Sequence, residues 1–210
     1  RQLNSLCTRD SYAIPRVDTL IDSLKDAKYF ASLDLFSGFQ QLKIYDAHTE
    51  RTAFSTPCGL FEYLKLPFGL KNSPSIFQRC MDKVLDGLIM KTCCVYIDDV
   101  IVHGKTKQEL YCNLQEVFDR LRNANLKLKS KKCSFFKDRV DFLGFEVSKD
   151  GVKISDQHIE DVRKWPVPGN IKELQKYLGF MNFFRKHILN YAKIAEPLTR
   201  LLRGHTNKKP

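Results

Sequence analysis

Two adjacent acids interrupt an otherwise strand-forming run, and this pattern limits the folds open to the chain more than any other. The run extends from Cys94 to His103 and carries Asp98 and Asp99 at its centre. The β-branched and aromatic residues on both sides predict two short strands, with the acid pair at the tip of a hairpin. Such tips favour Asn-Gly or Asp-Gly, because the primed turns need positive φ. Adjacent carboxylates turn the chain poorly, but they suit cation binding, since a metal ion neutralises their repulsion.

A third acid bears on whether this pair is merely an exposed acidic turn, which is the commoner explanation for Asp-Asp alone. Asp34 lies near the end of a predicted buried strand, just before Ser37 and Gly38. A buried ionised carboxylate needs a partner, either a lysine or a metal ion. Three carboxylates from two strand ends can bracket two divalent cations, the arrangement that promotes phosphoryl transfer. Mg²⁺ suits such a site, because it binds carboxylates, water and substrate phosphates.

A further segment, Leu66–Gln78, makes the set of motifs recognisable. Pro67 and Gly69 predict a loop, after which Ser73 is the expected N-cap and Pro74 the first residue of a helix. In order and spacing, four segments closely resemble the reverse transcriptases of long-terminal-repeat retrotransposons of the Gypsy type and their retroviral relatives: Ser32–Gln41, Leu66–Gln78, Tyr96–Asp99 and Phe142–Phe145. The resemblance extends from Arg1 to about Leu202.

The resemblance implies a set of catalytic and metal-binding residues. Asp34, Asp98 and Asp99 match the family's catalytic carboxylates, and they are expected to hold two Mg²⁺ ions, with Mn²⁺ as an alternative and Leu35 as a further metal-binding residue. The implied reaction is attack of a primer 3′-hydroxyl on the α-phosphate of a deoxynucleoside triphosphate, with pyrophosphate as the leaving group.

The resemblance also implies a nucleotide site. The backbone N–H groups expected against the triphosphate are those of Leu35, Phe36, Ser37, Gly38 and Phe39. The Phe39 ring is expected under the deoxyribose, where it would exclude a ribonucleotide 2′-hydroxyl. Phe68 and Gly69 match the loop that packs on the nucleotide and the template base. Lys132 is the candidate basic residue near the pyrophosphate; Lys131 competes with it, and a solvated lysine is the ordinary explanation for either.

A third set of residues is expected at the primer and template. It consists of Tyr96, Phe142, Leu143, Gly144, Lys172 and Lys176. The segment from Phe142 to Gly144 matches the hairpin that grips the primer end, and the lysines are expected to contact duplex phosphates, which fix register but carry little sequence information.

Composition agrees with a polyanionic partner. The net charge is +11, and no apolar run approaches transmembrane length. Seven scattered cysteines show no zinc spacing and predict reduced core thiols in an intracellular protein.

The expected partners are an RNA or DNA template with its primer duplex, deoxynucleoside triphosphates, and the remainder of a Pol polyprotein with ribonuclease H and integrase. A membrane is not expected, and the expected location is cytoplasmic, in association with a virus-like particle.

The predicted fold is α+β: a right-hand polymerase palm with an antiparallel sheet and packed helices, partial fingers and a small helical thumb. The predicted domains are 1–154 for fingers and palm, 155–204 for the thumb and 205–210 for a tail. The helices are expected at Pro15–Lys25, Ser73–Leu88, Lys107–Asn123, Ser155–Lys164, from Asn170 onward, and Phe184–Leu202. The strands are expected at Tyr29–Leu35, Gln40–Tyr45, Thr52–Phe54, Glu62–Leu66, around Asp98, Val140–Phe145 and Glu146–Ile154.

Three functions remain open from the sequence. The leading hypothesis is a two-metal RNA-directed and DNA-directed DNA polymerase. Because Arg1 matches a point after the family's first finger strands, a catalytically inactive nucleic-acid-binding remnant is the alternative. A two-metal nuclease ranks third, because hydrolysis has no need for Phe39 or for the Leu66–Gln78 loop.

Overall fold

The computed structural model describes residues 2–202, and these residues form the predicted α+β fold. The helices are α1 (Gln2–Leu6), α2 (Val17–Ser23), α3 (Ser73–Val84), α4 (Lys107–Asn123), α5 (Asp156–Arg163), α6 (Ile171–Phe183) and α7 (Tyr191–Arg200). The strands are β1 (Tyr29–Asp34), β2 (Phe54–Thr56), β3 (Gly59–Phe61), β4 (Cys93–Tyr96), β5 (Asp99–Gly104), β6 (Ser134–Lys137), β7 (Arg139–Phe142), β8 (Phe145–Ser148) and β9 (Gly151–Ile154). The sheet orders are β4-β5-β1-β6, β2-β3 and β7-β8-β9.

Strands β4, β5 and β1 of the four-stranded sheet are covered on both faces, whereas the edge strand β6 is largely exposed. Neighbouring residues along a strand point to opposite sides, so each of the three strands contributes to two cores. On one face Leu33 and Val100 pack with apolar residues of α3 and α4, among them Phe77 and Leu114. On the other face Phe30 joins residues from α2 and from the β7–β8 hairpin. This double cover holds β1 and β5 rigidly, and both carry acids at one end.

Three helices begin close to their predicted positions. The bounds of α4 are those predicted, and the Thr106 side chain caps it by accepting from the Glu109 N–H. Ser155 caps α5 and Asn170 caps α6 in the same manner. In each case a side-chain oxygen satisfies an amide that the first helical turn leaves unpaired.

Three strand predictions are wrong in and just before the second sheet. Gln40 and Gln41, the first two residues of the strand predicted at Gln40–Tyr45, belong to a 3₁₀ turn at Gly38–Gln41. In the rest of that predicted strand, Lys43 forms an isolated bridge with Lys65. The strands predicted at Thr52–Phe54 and Glu62–Leu66 are instead β2 and β3, which pair from Phe54 with Phe61 to Thr56 with Gly59. The short loop sets this register and draws both strands toward the turn.

The start and the end of α3 also differ from prediction. Ser73 is already helical, with Asn72 before it, and its hydroxyl donates to the Pro67 carbonyl instead of capping α3. The helix ends at Val84 rather than at Leu88.

Farther along the chain, a turn at Leu143 and Gly144 divides the strand predicted at Val140–Phe145. The helix predicted at Phe184–Leu202 is split into a 3₁₀ turn, Arg185–His187, and α7, which contains Pro197. The left-handed backbone of Asn190 separates the two pieces.

The described residues form two compact units. One comprises residues 2–143 and 147–152, and the other comprises residues 144–146 and 153–202, with α5, α6 and α7. Residues 203–204 of the predicted thumb and the predicted tail at 205–210 lie outside the described residues. Within residues 2–202, no helix has both the length and the apolar character that crossing a membrane requires.

All seven cysteines are free, but they are not all core thiols. Cys93 and Cys94 are buried in β4, and burial raises their pKa values to about 12 and about 11. Cys58 and Cys112 are exposed, which corrects the prediction for these two.

Candidate active site

The pairing of β1 with β5 brings the three predicted acids to one end of the central sheet. Asp34 ends β1 and pairs with Asp99, which begins β5. Tyr96 also pairs with Asp99, so the two loop residues of the β4–β5 hairpin are Ile97 and Asp98. The prediction that both acids occupy the hairpin tip is therefore wrong for Asp99. Strand register places Asp99 beside Asp34, and Asp98 lies in the turn immediately before Asp99.

The hairpin turn is strained and is held from α3. Ile97 has a φ of 57°, a left-handed conformation that a β-branched residue rarely adopts. Its N–H donates to the Gln78 side-chain oxygen at 2.7 Å, and the Gln78 amide donates to Asp82 at 2.9 Å. Because Gln78 is fully buried, this contact fixes the turn that carries Asp98. Sequence reasoning included Gln78 only as the end of a segment and missed its role.

The acids interact electrostatically. Loss of solvent around the Asp99 carboxyl group raises its pKa, the negative charges of Asp98 and Asp34 raise the pKa further, and Lys132 opposes the shift. The Lys132 ammonium lies 3.4 Å from the Asp34 carboxylate. Of the two competing lysines, Lys132 is thus the one in contact with the acids. Like charges gathered in this way favour a cation between them.

The three carboxylates are the kind of ligand that a hard divalent cation prefers, but their side chains are not arranged as a metal site in this structure. The three acids offer oxygen ligands, which Mg²⁺ prefers, and their mutual repulsion is the kind that a cation relieves. Within the part of the chain that the structure describes, however, no group of three His, Cys, Asp or Glu side chains converges as a metal site. Asp34 pairs with Lys132 instead. Leu35 is buried and forms an isolated bridge with Leu128, so its metal-binding role stays a prediction.

A tight loop after β1 passes against the acid-bearing hairpin. Ser37 has a φ of 51° and opens the 3₁₀ turn that begins at Gly38. A Cβ on Gly38 would lie 3.2 Å from Asp98 Cβ and 3.4 Å from the Phe77 ring. A side chain at this position would crowd Asp98 and Phe77, so glycine permits the close approach, and the loop backbone lies beside Asp98.

A second amide side chain, which sequence reasoning missed, braces this loop. Gln41 donates to the carbonyls of Phe36 and Lys127 at 2.8 and 3.0 Å, and it accepts from the Lys127 N–H at 2.7 Å. The Phe36 N–H donates to the Lys127 carbonyl at 2.8 Å. Of the backbone donors predicted for a triphosphate, that of Phe36 is thus already paired.

Aromatic contacts join the two predicted nucleotide-binding segments. The Phe39 ring lies 5.2 Å from the Phe68 ring and 5.3 Å from the Phe77 ring, between centroids. Phe39 packs on the core, whereas Phe68 is exposed. The structure therefore brings Phe39 and Phe68 together beside the Gly38 loop.

The loop after Phe68 is tied down by Asn4, the third amide that the sequence did not reveal. Gly69 has a φ of 90°, and its carbonyl accepts from the Asn4 side chain at 2.7 Å. The Asn4 oxygen accepts from the Lys71 N–H at 2.8 Å. Asn4 therefore fixes both ends of the Gly69 turn.

Of the residues predicted at the primer, Phe142, Leu143 and Gly144 lie at the β7–β8 turn. Phe142 is 2% exposed, so its side chain serves the core, and any contact with a primer falls to the backbone. Leu143 and Gly144, with φ of 52° and 87°, form the turn. Tyr96 is half-buried against the same apolar cluster as Phe142. Lys172 and Lys176 are exposed on α6 in the second unit.

Comparison with known proteins agrees with this arrangement. The model of the family "Reverse transcriptase (RNA-dependent DNA polymerase)" matches residues 1–147. A retrovirus-related Pol polyprotein from the transposon opus of Drosophila melanogaster is 43% identical over 97% of this chain, and that from the transposon gypsy is 37% identical over 97%. The chain spans 20% of the length of each of these relatives.

Comparison with solved structures also finds reverse transcriptases. The foamy viral protease-reverse transcriptase in complex with dsDNA has a TM-score of 0.85 and 27% identity, over 96% of this chain and 42% of that chain. The same viral protein in complex with an RNA/DNA hybrid has a TM-score of 0.82 over 95% of this chain and 27% of that chain. With the acids, the Gly38 loop and the aromatic contacts already in this arrangement, the chain belongs to the reverse transcriptase family.

Proposed function

We propose that this chain is the polymerase core of a retrotransposon Pol polyprotein, which extends a primer on an RNA or DNA template. The observation that carries the proposal is the placement of Asp34 and Asp99 on paired strands, with Asp98 on the adjoining turn and the Gly38 loop against it. Carboxylates gathered beside a loop that can accept a triphosphate suit nucleotidyl transfer.

In the proposed reaction the primer 3′-hydroxyl releases its proton to water and its oxygen forms a bond to the α-phosphorus of a deoxynucleoside triphosphate, while the bond from that phosphorus to the bridging oxygen breaks and pyrophosphate leaves. Asp34, Asp98 and Asp99 would hold two Mg²⁺ ions, which when bound activate the attacking oxygen and stabilise the leaving oxygen. Lys132, already 3.4 Å from Asp34, would balance charge near the pyrophosphate.

Substrate selection falls to the aromatic residues beside the loop. The Phe39 ring, supported by Phe68 and Phe77, would block a 2′-hydroxyl. The Gly69 turn, fixed by Asn4, would hold Phe68 over the nucleotide. This is selection by a clash with the wrong substrate.

The template and primer are the remaining partners. The complexes of the foamy viral relative with dsDNA and with an RNA/DNA hybrid, and the net charge of +11, support a nucleic-acid duplex as the bound partner. Since the chain spans 20% of its Pol polyprotein relatives, ribonuclease H and integrase are proposed partners in a longer protein.

The test is extension of a labelled DNA primer on an RNA template with Mg²⁺ and deoxynucleotides. Extension by the native chain and none by Asp98→Asn, with duplex binding kept, would support the proposal. Loss of labelled primer without added nucleotides would indicate a nuclease instead.

A further inference from the structure

The turn at Gly144 is held by residues to which the proposed reaction gives no role. The Ser155 N–H donates to the Gly144 carbonyl at 3.0 Å. A Cβ added to Gly144 would lie 3.0 Å from Cε1 and 3.1 Å from Nε2 of His158. The imidazole ring thus lies directly against the turn, and both contacts are within the second unit.

The His158 ring itself has a fixed orientation. Its Nδ1 shares a hydrogen bond of 2.8 Å with the Ser155 hydroxyl, and Ser155 is buried. One ring face stacks on Phe180, with an interplanar angle of 11°, and Phe184 packs beside it at 5.4 Å between centroids. A ring bonded at one edge and stacked on a face leaves its neighbour little freedom to move.

We propose that His158 is a positioning residue for the primer 3′ end and acts through the Gly144 turn. The inference rests on the proposed function, in which this turn holds the primer terminus. Gly144, at a φ of 87°, forms this turn in a left-handed conformation, and Ser155 and His158 contact this residue directly. Loosening these contacts would let the turn shift, together with the primer O3′ that the turn is proposed to hold.

The expected consequence is a loss of rate rather than of duplex affinity. A displacement of about 1 Å in a reacting group can cost on the order of 10²-fold in rate. We therefore expect His158→Ala to lower kcat about tenfold and to change the KM for primer–template by less than about threefold. His158→Phe keeps an aromatic ring against Gly144 and should restore most of kcat.

A matched control separates positioning from general packing. His187, also in the second unit, packs its ring on Phe145 at 4.8 Å between centroids. His187→Ala removes a comparable aromatic contact beside the same hairpin and should leave kcat near that of the native chain, even if it lowers the melting temperature equally. An equal loss of kcat in His187→Ala, or none in His158→Ala, would overturn the inference.

A second readout needs no turnover. A primer with 2-aminopurine at its 3′ terminus reports the environment of the primer end at saturating protein. We expect the emission of the bound primer to differ between the native chain and His158→Ala at equal occupancy, and to be restored in His158→Phe. Identical emission in all three would refute the positioning role. A native chain that binds but never extends the primer would count against the proposed function, while the emission comparison still decides the role of His158.

Discussion

At the scale of single residues, Asp98 is closely surrounded by neighbouring atoms. Gly38 and Gln78 accommodate this close packing. Gly38 approaches Asp98 on one side, at 3.2 Å for a built Cβ. Gln78 holds the strained Ile97 before it, and Asp99 follows it with a raised pKa. The positions of Asp98 and Asp99 therefore depend on Gly38 and Gln78, whose side chains take no part in the proposed reaction.

The first prediction concerns Gln78. Gln78→Leu removes the side-chain oxygen that accepts from the Ile97 N–H and should lower the free energy of unfolding by about 1–3 kcal/mol, the cost of an unsatisfied buried group. Primer extension should fall as well, because the turn carrying Asp98 loses its support. Urea denaturation and single-nucleotide incorporation measure both effects. Gln115→Leu, at an exposed position of α4, is the control; equal unfolding free energies in the two variants would contradict the assigned role.

The second prediction concerns the aromatic ring at position 39. Phe39→Val shortens the side chain that faces Phe68 and Phe77, so ribonucleotides should be incorporated while much of the deoxynucleotide activity remains. The lost packing should also cost about 1–3 kcal/mol of stability. The ratio of ribonucleotide to deoxynucleotide incorporation is the measurement. A ratio unchanged from the native chain would show that the steric barrier lies elsewhere.

The acids and Phe39 could be predicted as candidate site residues, because each lies in a short local motif. Gln78, Asn4 and Gln41 could not be predicted as supports of the site, because their hydrogen-bond partners lie 19, 65 and 86 residues away along the chain. An amide side chain leaves no local pattern when its role depends on a distant partner.

At the scale of elements, the junction between β5 and α4 holds the acid-bearing strand in place. A Cβ on Gly104, the last residue of β5, would lie 2.6 Å from the Leu110 backbone nitrogen and 3.2 Å from the Thr106 carbonyl oxygen. Both are backbone atoms at the start of α4, and they cannot move without disturbing the first turn of that helix. The strand and the helix therefore touch through a glycine.

The third prediction follows from this contact. Gly104→Ala should lower the free energy of unfolding by about 1–3 kcal/mol or more, because the added methyl overlaps backbone. Gly179→Ala, on the exposed side of α6 with nothing within 4 Å of its Cβ position, should instead raise it by up to about 1 kcal/mol through helix propensity. Chemical denaturation compares the two. Opposite signs are expected, and a neutral Gly104→Ala would contradict the close packing.

Elements with their own signals were predictable, and those defined by tertiary pairing were not. The side chains of Thr106, Ser155 and Asn170 cap the starts of α4, α5 and α6, and residues of these types indicate a helix start in a sequence. Strand β6 was missed, because its pairing with β1, which includes a register shift, shows nowhere in its own residues. The 3₁₀ turn at Gly38–Gln41 takes the place of the start of the strand predicted at Gln40–Tyr45, because Ser37 enters the turn with a left-handed backbone.

At the scale of the whole molecule, the positive net charge of +11 should dominate duplex affinity. The α+β class and the family were predictable from the order of the motifs along the chain. The assignment of residues 144–146 to the second unit was not, because a turn inside one hairpin carries no mark of a domain boundary.

The fourth prediction is a dependence of duplex affinity on salt. Replacing both exposed lysines of α6 in Lys172→Glu/Lys176→Glu should weaken binding and reduce the slope of log K against log salt by about 2, one for each lost phosphate contact. Fluorescence anisotropy at several salt concentrations measures the slope. Lys25→Glu, at an exposed lysine paired with Asp22, is the control and should change the slope little. Equal slopes for the double variant and the control would rule out these lysines as phosphate contacts.

The most direct measurement is single-nucleotide extension of a primer on an RNA template by the native chain, by Asp98→Asn and by Asp150→Asn, an acid at an exposed turn. We expect extension by the native chain and by Asp150→Asn. For Asp98→Asn we expect none, with unchanged duplex affinity and undiminished thermal stability, because removing its charge relieves Asp99. Extension by Asp98→Asn at the rate of the native chain would contradict the assignment of the three acids as the catalytic site.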